Sequence, residues 1–209
     1  MLHSCLALLK EMKNLGIVTT GLILISSPAD AHSFIGEGGA YDIFVEGAGV
    51  VLSDIRLILP LIAVGLMVAL WQIDGLISVW PAMIVGNFIG IPLATISTPT
   101  AYQIFTALGL MVAIIAAVKP DRFKPEILFV TFVISVGAMM CALEGHKFLE
   151  LPMMIYLGII FGTNLTLATS ANIAGLFLRS INSSWAKIII RALASWVAAM
   201  SLLILAANA

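Results

Sequence analysis

Residues 156–175 read YLGIIFGTNLTLATSANIAG. These twenty residues carry no charge, and about twenty apolar residues in a helix cross the roughly 30 Å of hydrocarbon in a bilayer. Two features mark the segment as a helix packed among others rather than one alone in lipid. Gly158 and Gly162 form a G-x-x-x-G pair, which lets helix backbones approach closely. Thr163 and Thr166 are three apart, as are Thr169 and Asn172, so each pair shares a helix face. The sequence predicts that this polar, small-residue stripe points into a bundle.

The rest of the chain follows the same pattern. Apolar segments recur at about 55–72, 76–96, 101–118, 125–143, 152–177 and 187–206. Of the 209 residues, 61% are hydrophobic and 10% charged, against about 25% charged in a soluble domain. Mean hydropathy is +1.13. More apolar surface is present than one core could bury, so lipid is the expected solvent. The expected fold is an all-α integral membrane protein, a six-helix transmembrane bundle. Asp74-Gly75, Ser97-Thr98-Pro99 and Lys119-Pro120-Asp121-Arg122 separate the spans with short turns, and Pro152 opens the fifth at a position where its missing N–H costs little. Pro60, Pro81 and Pro92 lie in or beside the first two spans, where each frees a carbonyl.

Ahead of the bundle, Lys10 and Lys13 precede an apolar run at 15–25, closed by Ser26, Ser27 and Pro28. Ala29 and Ala31 then occupy the −3 and −1 positions of an A-x-A cleavage site. The run is too short for a span. The expected organisation is a cleaved signal peptide at 1–31, a periplasmic N-terminal segment at 32–54 and a six-span domain at 55–209. With the mature N-terminus outside, Lys119, Arg122, Lys124, Arg179, Lys187 and Arg191 fall inside, and only Arg56 and Lys147 outside. That bias obeys the positive-inside rule. It places the protein in a bacterial inner membrane with both termini on the periplasmic side. Cys5 and Cys141 provide no disulfide framework.

The spans hold almost no ionisable residue, which argues against a proton relay. Their polar content is amide and hydroxyl. The stripe on the fifth span, with Asn87 in the second, has two open readings. Side-chain amides bond across helices as glue, or Asn87, Asn164, Asn172 and Thr169 line a polar passage. Acidic residues Glu37, Asp42, Glu46, Asp54, Glu144 and Glu150 gather on the expected outer side, either as solvated loop charges or as a mildly negative mouth for cations.

Taken in order, several pieces resemble the HupE/UreJ family of hydrogenase and urease accessory membrane proteins, described as nickel or cobalt permeases. The signal ends in Ala31-His32. Leu61-Ile62-Ala63-Val64-Gly65-Leu66 is similar to the family's first-span MVAVGL. Glu144-Gly145-His146 followed by Glu150-Leu151-Pro152 looks like its HGHAHG…ELP outer loop, and residues 156–175 resemble its YxxGFxxATxxLHxxG fifth span. The resemblance implies a metal-permease bundle. The departures are specific. Aligned back from Gly65, the family motif H-P-x-x-G-x-D-H meets Val50, Val51, Asp54, Arg56 and Leu57 at its H, P, G, D and H positions. The fifth-span histidine falls on Asn172, and the first outer-loop histidine on Glu144.

Two histidines remain in the expected mature chain. His32 would offer an α-amine and an imidazole to one metal, and His146 sits at a span boundary beside Glu144 and Glu150. The candidate metal residues are therefore His32, His146, Glu46, Asp54 and Glu144. The ion would be nickel, cobalt or copper, with no other cofactor implied. Enzymatic motifs are missing: there is no G-x-S-x-G, H-E-x-x-H or phosphate-cradling loop. With a net charge of −1 there is no nucleic-acid footprint. The expected partners are the lipid bilayer, a small metal cation, and a homo-oligomer or membrane-complex partner. The expected function is permease-like movement of a divalent transition-metal cation. The alternative is a degenerate relative serving as a non-transporting scaffold or accessory subunit. N-terminal sequencing of the mature protein is expected to begin at His32; any other start removes the cleavage site.

Overall fold

A computed structural model describes Phe34 and residues 39–98, 100–118, 123–181 and 184–207. The expected signal peptide at 1–31, His32, Glu37, Lys119 and Arg122 lie outside the described residues. Everything regular among those described is helical. The elements are α1 (Ala40–Ser53), α2 (Ile55–Trp71), α3 (Gly75–Leu93, extended by a 3-10 turn at Ala94–Ile96), α4 (Ala101–Val118), α5 (Lys124–Ala142), α6 (Met153–Ser180) and α7 (Ser184–Ala207). This is the architecture that lipid requires, since a helix satisfies its backbone polar groups within its own segment.

Helices α3 to α7 are each long and apolar enough to cross a membrane. The expected first span is α2, whose 17 residues make it about 25 Å long. It is joined at Asp54 to α1 with a bend of 74°, and the pair together has the length and apolarity of one broken crossing. Helix α1 falls within the segment expected to be periplasmic. Gly47, Ala48, Val50 and Val51 form its buried face, a stripe too short to be read as a span.

Helix α2 is the axis of the bundle. Twelve of its seventeen residues are buried, and it packs against α4, α5, α6 and α7. Pro60 lies against Gly109 of α4, where a Cβ would come within 2.5 Å of the proline ring, and Gly65 lies against Ser170 of α6. Both G-x-x-x-G pairs meet a neighbouring backbone. A Cβ on Gly86 would sit 2.7 Å from the Phe132 carbonyl of α5, and one on Gly90 2.8 Å from that of Val136. Gly158 and Gly162 face the backbone of α1 at Phe44 and Ala48. These pairings run α2, α4 and α6 one way and α3, α5 and α7 the other.

The outer surface is apolar. Ile77, Phe88, Ile104, Phe129, Trp196 and Leu203 are all more than half exposed, while the interior holds both small residues and large ones such as Phe105, Leu61 and Met67. That exterior is compatible with a membrane location and contact with lipid. Helix ends are closed by side chains. Asp42 accepts the Gly39 N–H at 3.1 Å. The Arg191 guanidinium donates to the carbonyls of Ala117 and Val118 at 2.6 and 3.0 Å, the last acceptors of α4.

Gly158→Val is expected to destabilise the bundle by about 1–3 kcal/mol or more, because the added side chain meets backbone that cannot turn away. Gly49→Ala, with open space at its Cβ, is expected to be neutral or mildly stabilising. Thermal melts in detergent check both.

Candidate functional site

Two polar assemblies stand out, one at the Asp54 end of α2 and one along the α3–α6 contact. At the first, Asp54 caps α2 by accepting the Arg56 backbone N–H at 2.9 Å. The same carboxylate accepts from the guanidinium of Arg56: Nε at 3.0 and 3.2 Å, Nη2 at 2.8 Å. Asp54 is only 8% exposed. The guanidinium carbon lies 4.2 Å from the centroid of the Tyr102 ring on α4, a cation–π contact. Glu144 and the buried Cys141 stand within electrostatic reach of Tyr102. A carboxylate buried in the apolar end of a bundle needs a cation, and here the next turn of the chain provides it.

His146 belongs to the turn closing α5, where Gly145 adopts φ 85° and the His146 N–H donates to the Leu143 carbonyl at 3.2 Å. Its Nδ1 lies 3.2 Å from the Glu144 carbonyl. A carbonyl only accepts, so Nδ1 is the donor in this contact. The ring edge packs on Phe34, 5.1 Å between centroids. Glu144 is half-buried in the same turn, and Glu46 is half-buried on α1 and engaged by a neighbour. Among the described residues no three His, Cys, Asp or Glu side chains are grouped to hold a metal ion. The structure thus brings Glu144 and His146 into one turn and gives Asp54 to Arg56.

The second assembly joins α3 to α6. Asn87 is fully buried and donates from Nδ2 to the Thr163 hydroxyl at 3.3 Å, while its Oδ1 is buried without a partner. Trp80, two turns earlier on α3, donates its indole N–H to Asn164 Oδ1 at 2.8 Å. The Asn164 amide nitrogen donates to its own helix at Ile160. Beyond Trp80 lies a cavity of about 130 Å³ lined by Ile77, Asn172, Gly175 and the Asp74–Arg179 ion pair. Along α3 this seam carries polar groups at Asp74, Trp80 and Asn87; on α6 their partners are Arg179 and the adjacent Asn164 and Thr163, with Asn172 between.

Thr169 is not part of it. It lies five residues from Asn164, about 140° round the helix, and its hydroxyl donates to the carbonyls of Leu165 and Thr166 at 2.7 and 3.1 Å. It lines a wider apolar groove between α2, α6 and α7. The expected stripe on α6 therefore splits. Thr163 and Thr166 point inward, while Thr169 and Asn172 are exposed. The buried hydroxyls of Thr106, Thr131, Ser135, Thr166 and Ser201 donate to carbonyls of their own helices, so Asn87 differs from them in reaching across helices.

Neither the Arg56 clamp nor the Trp80 bond was legible as such in the sequence. The D-x-R spacing at Asp54 was the one available signal for the first. For the second, Trp80 next to Pro81 gave no indication of which helix it would face.

Arg56→Met, which leaves the Asp54 carboxylate buried without its cation, is expected to cost about 1–3 kcal/mol. The double variant Asp54→Asn/Arg56→Met is expected to recover much of that loss, and a double-mutant cycle on thermal stability checks the coupling.

Comparison with protein-family models, with curated proteins and with solved structures found no match to this chain.

Proposed function

We propose that this protein is a permease-like membrane bundle of the HupE/UreJ type. It moves, or assists movement of, a divalent transition-metal cation of the nickel or cobalt class across the bacterial inner membrane, with both termini on the periplasmic side. The single observation that carries the reading is the α3–α6 seam. Polar groups recur along it at Asn87, at Trp80 with Asn164, and at Asn172, whereas the buried hydroxyls of Thr106, Thr131, Ser135, Thr166 and Ser201 bond their own helices. Amide and hydroxyl oxygens are weak ligands for nickel compared with imidazole or thiolate. Weak ligands suit a passage, because an ion must leave each site as readily as it enters.

A second reading has its own support. The Arg56 guanidinium occupies the deeply buried Asp54 carboxylate, a tethered cation where a mobile one would bind. That favours a non-transporting scaffold or accessory subunit of a membrane complex.

Cells making the protein are expected to accumulate more radioactive nickel or cobalt than cells without it, and Asn87→Leu is expected to lower that uptake severalfold. Copper and zinc, measured in parallel, define the ion. No difference for any of the four sinks the transport reading. A reproducible stoichiometric partner after gentle-detergent purification would then establish the scaffold.

A further inference from the structure

Helix α3 is held to its two neighbours in different ways. Against α5 it packs backbone to backbone through Gly86 and Gly90. Against α6 its close contacts are few, and three side-chain bonds span the gap: Asp74 to Arg179, Trp80 to Asn164, and Asn87 to Thr163. Side-chain bonds between membrane helices are individually weak enough to break and reform thermally.

Of the three, the Trp80 bond has the position of a closure. On one side of it is the cavity lined by Asn172, Asp74 and Arg179. On the other is Asn87, whose Oδ1 is buried and unpartnered. The indole is 48% exposed, so one face of it is free to swing. Pro81 follows immediately within α3. With no N–H, it leaves the carbonyl of Ile77 without its i→i−4 donor, so the helix is weakest at the residue carrying the bond.

We propose that Trp80 and Asn164 form a latch that closes the seam between the Asn172 cavity and Asn87, with Pro81 as the flexing point. This rests on the seam being the functional path. Breaking the indole–amide bond lets the end of α3 carrying Trp80 move from α6 and opens Asn87 to water from the Asp74 end. The part of α3 that is anchored on α5 through Gly86 and Gly90 stays in place.

The test uses the full chain in native membrane vesicles, with Cys5→Ser and Cys141→Ala as background and the thiol of Asn87→Cys as reporter. The probe is a small cationic methanethiosulfonate reagent that does not cross lipid, added to either face. With Trp80 intact the reporter is expected to react slowly. Trp80→Phe keeps an aromatic ring and removes the donor, and is expected to speed labelling about tenfold, the factor for one hydrogen bond of about 1.4 kcal/mol. Asn164→Leu is expected to give the same increase, and the double variant no more. The thiol of Ala113→Cys, in the α4 core, is expected to stay unreactive throughout.

A reporter that is already fully reactive beside an intact Trp80 overturns the latch. So does a rate that neither substitution changes, or equal exposure of the Ala113→Cys thiol. Ion uptake with native Asn87 separates this from the transport reading. Opening without ion movement leaves the latch standing and removes the permease. Ion movement with unchanged labelling does the reverse.

Discussion

The bundle depends on how closely other backbones can approach α6. In lipid no hydrophobic force drives one helix against another, so association rests on dispersion contacts and interhelical bonds. Gly158 and Gly162 bring α1 onto one half of α6, while on the other half Ser170 receives Gly65 of α2 and Gly175 meets the Ile73 carbonyl. Residues with side chains at Gly158 or Gly65 would collide with neighbouring atoms. With α2 seated on α6, the helices around it find their places: α4 through Gly109 on Pro60, and α7 through its buried Ala186, Ile190, Ala194 and Ala198.

The distribution of polar groups follows from the same constraint. The buried hydroxyls of Thr106, Thr131, Ser135, Thr166 and Ser201 fold back on carbonyls one turn earlier, which removes them as a demand on neighbours. Amide and indole groups cannot do this as completely, and they concentrate where backbones do not interlock. The α3–α6 contact is that place. Its polar bonds substitute for packing. The Asp54–Arg56 clamp has the opposite character. It is made within one turn of chain, caps the start of α2 and is covered by Tyr102, at the bend between α1 and α2.

Much of this was readable beforehand, for definite reasons. The apolar runs at 76–96, 101–118, 125–143, 152–177 and 187–206 match α3 to α7 to within a few residues, because apolar length is a local property. The two G-x-x-x-G pairs make backbone contacts as expected. Asn87 was recognisable as a buried amide simply by lying within an apolar run. The angle at Asp54 was hidden, because a 74° bend depends on what α1 rests on. The splitting of the α6 stripe was hidden too: spacing shows which residues share a face, but not which neighbour that face meets.

By itself, then, the sequence determined that the chain is helical, where its apolar helices begin and end, and which small residues permit close approach. Each of these follows from local composition and helical period. Only the tertiary structure decided that Arg56 takes the Asp54 carboxylate under Tyr102, that α1 lies on α6, and that Trp80 bonds Asn164 across 84 residues of chain. The reason is that a side chain's partner across helices depends on rotation and depth, which are set by all the helices packing together. No stretch of one helix encodes them alone.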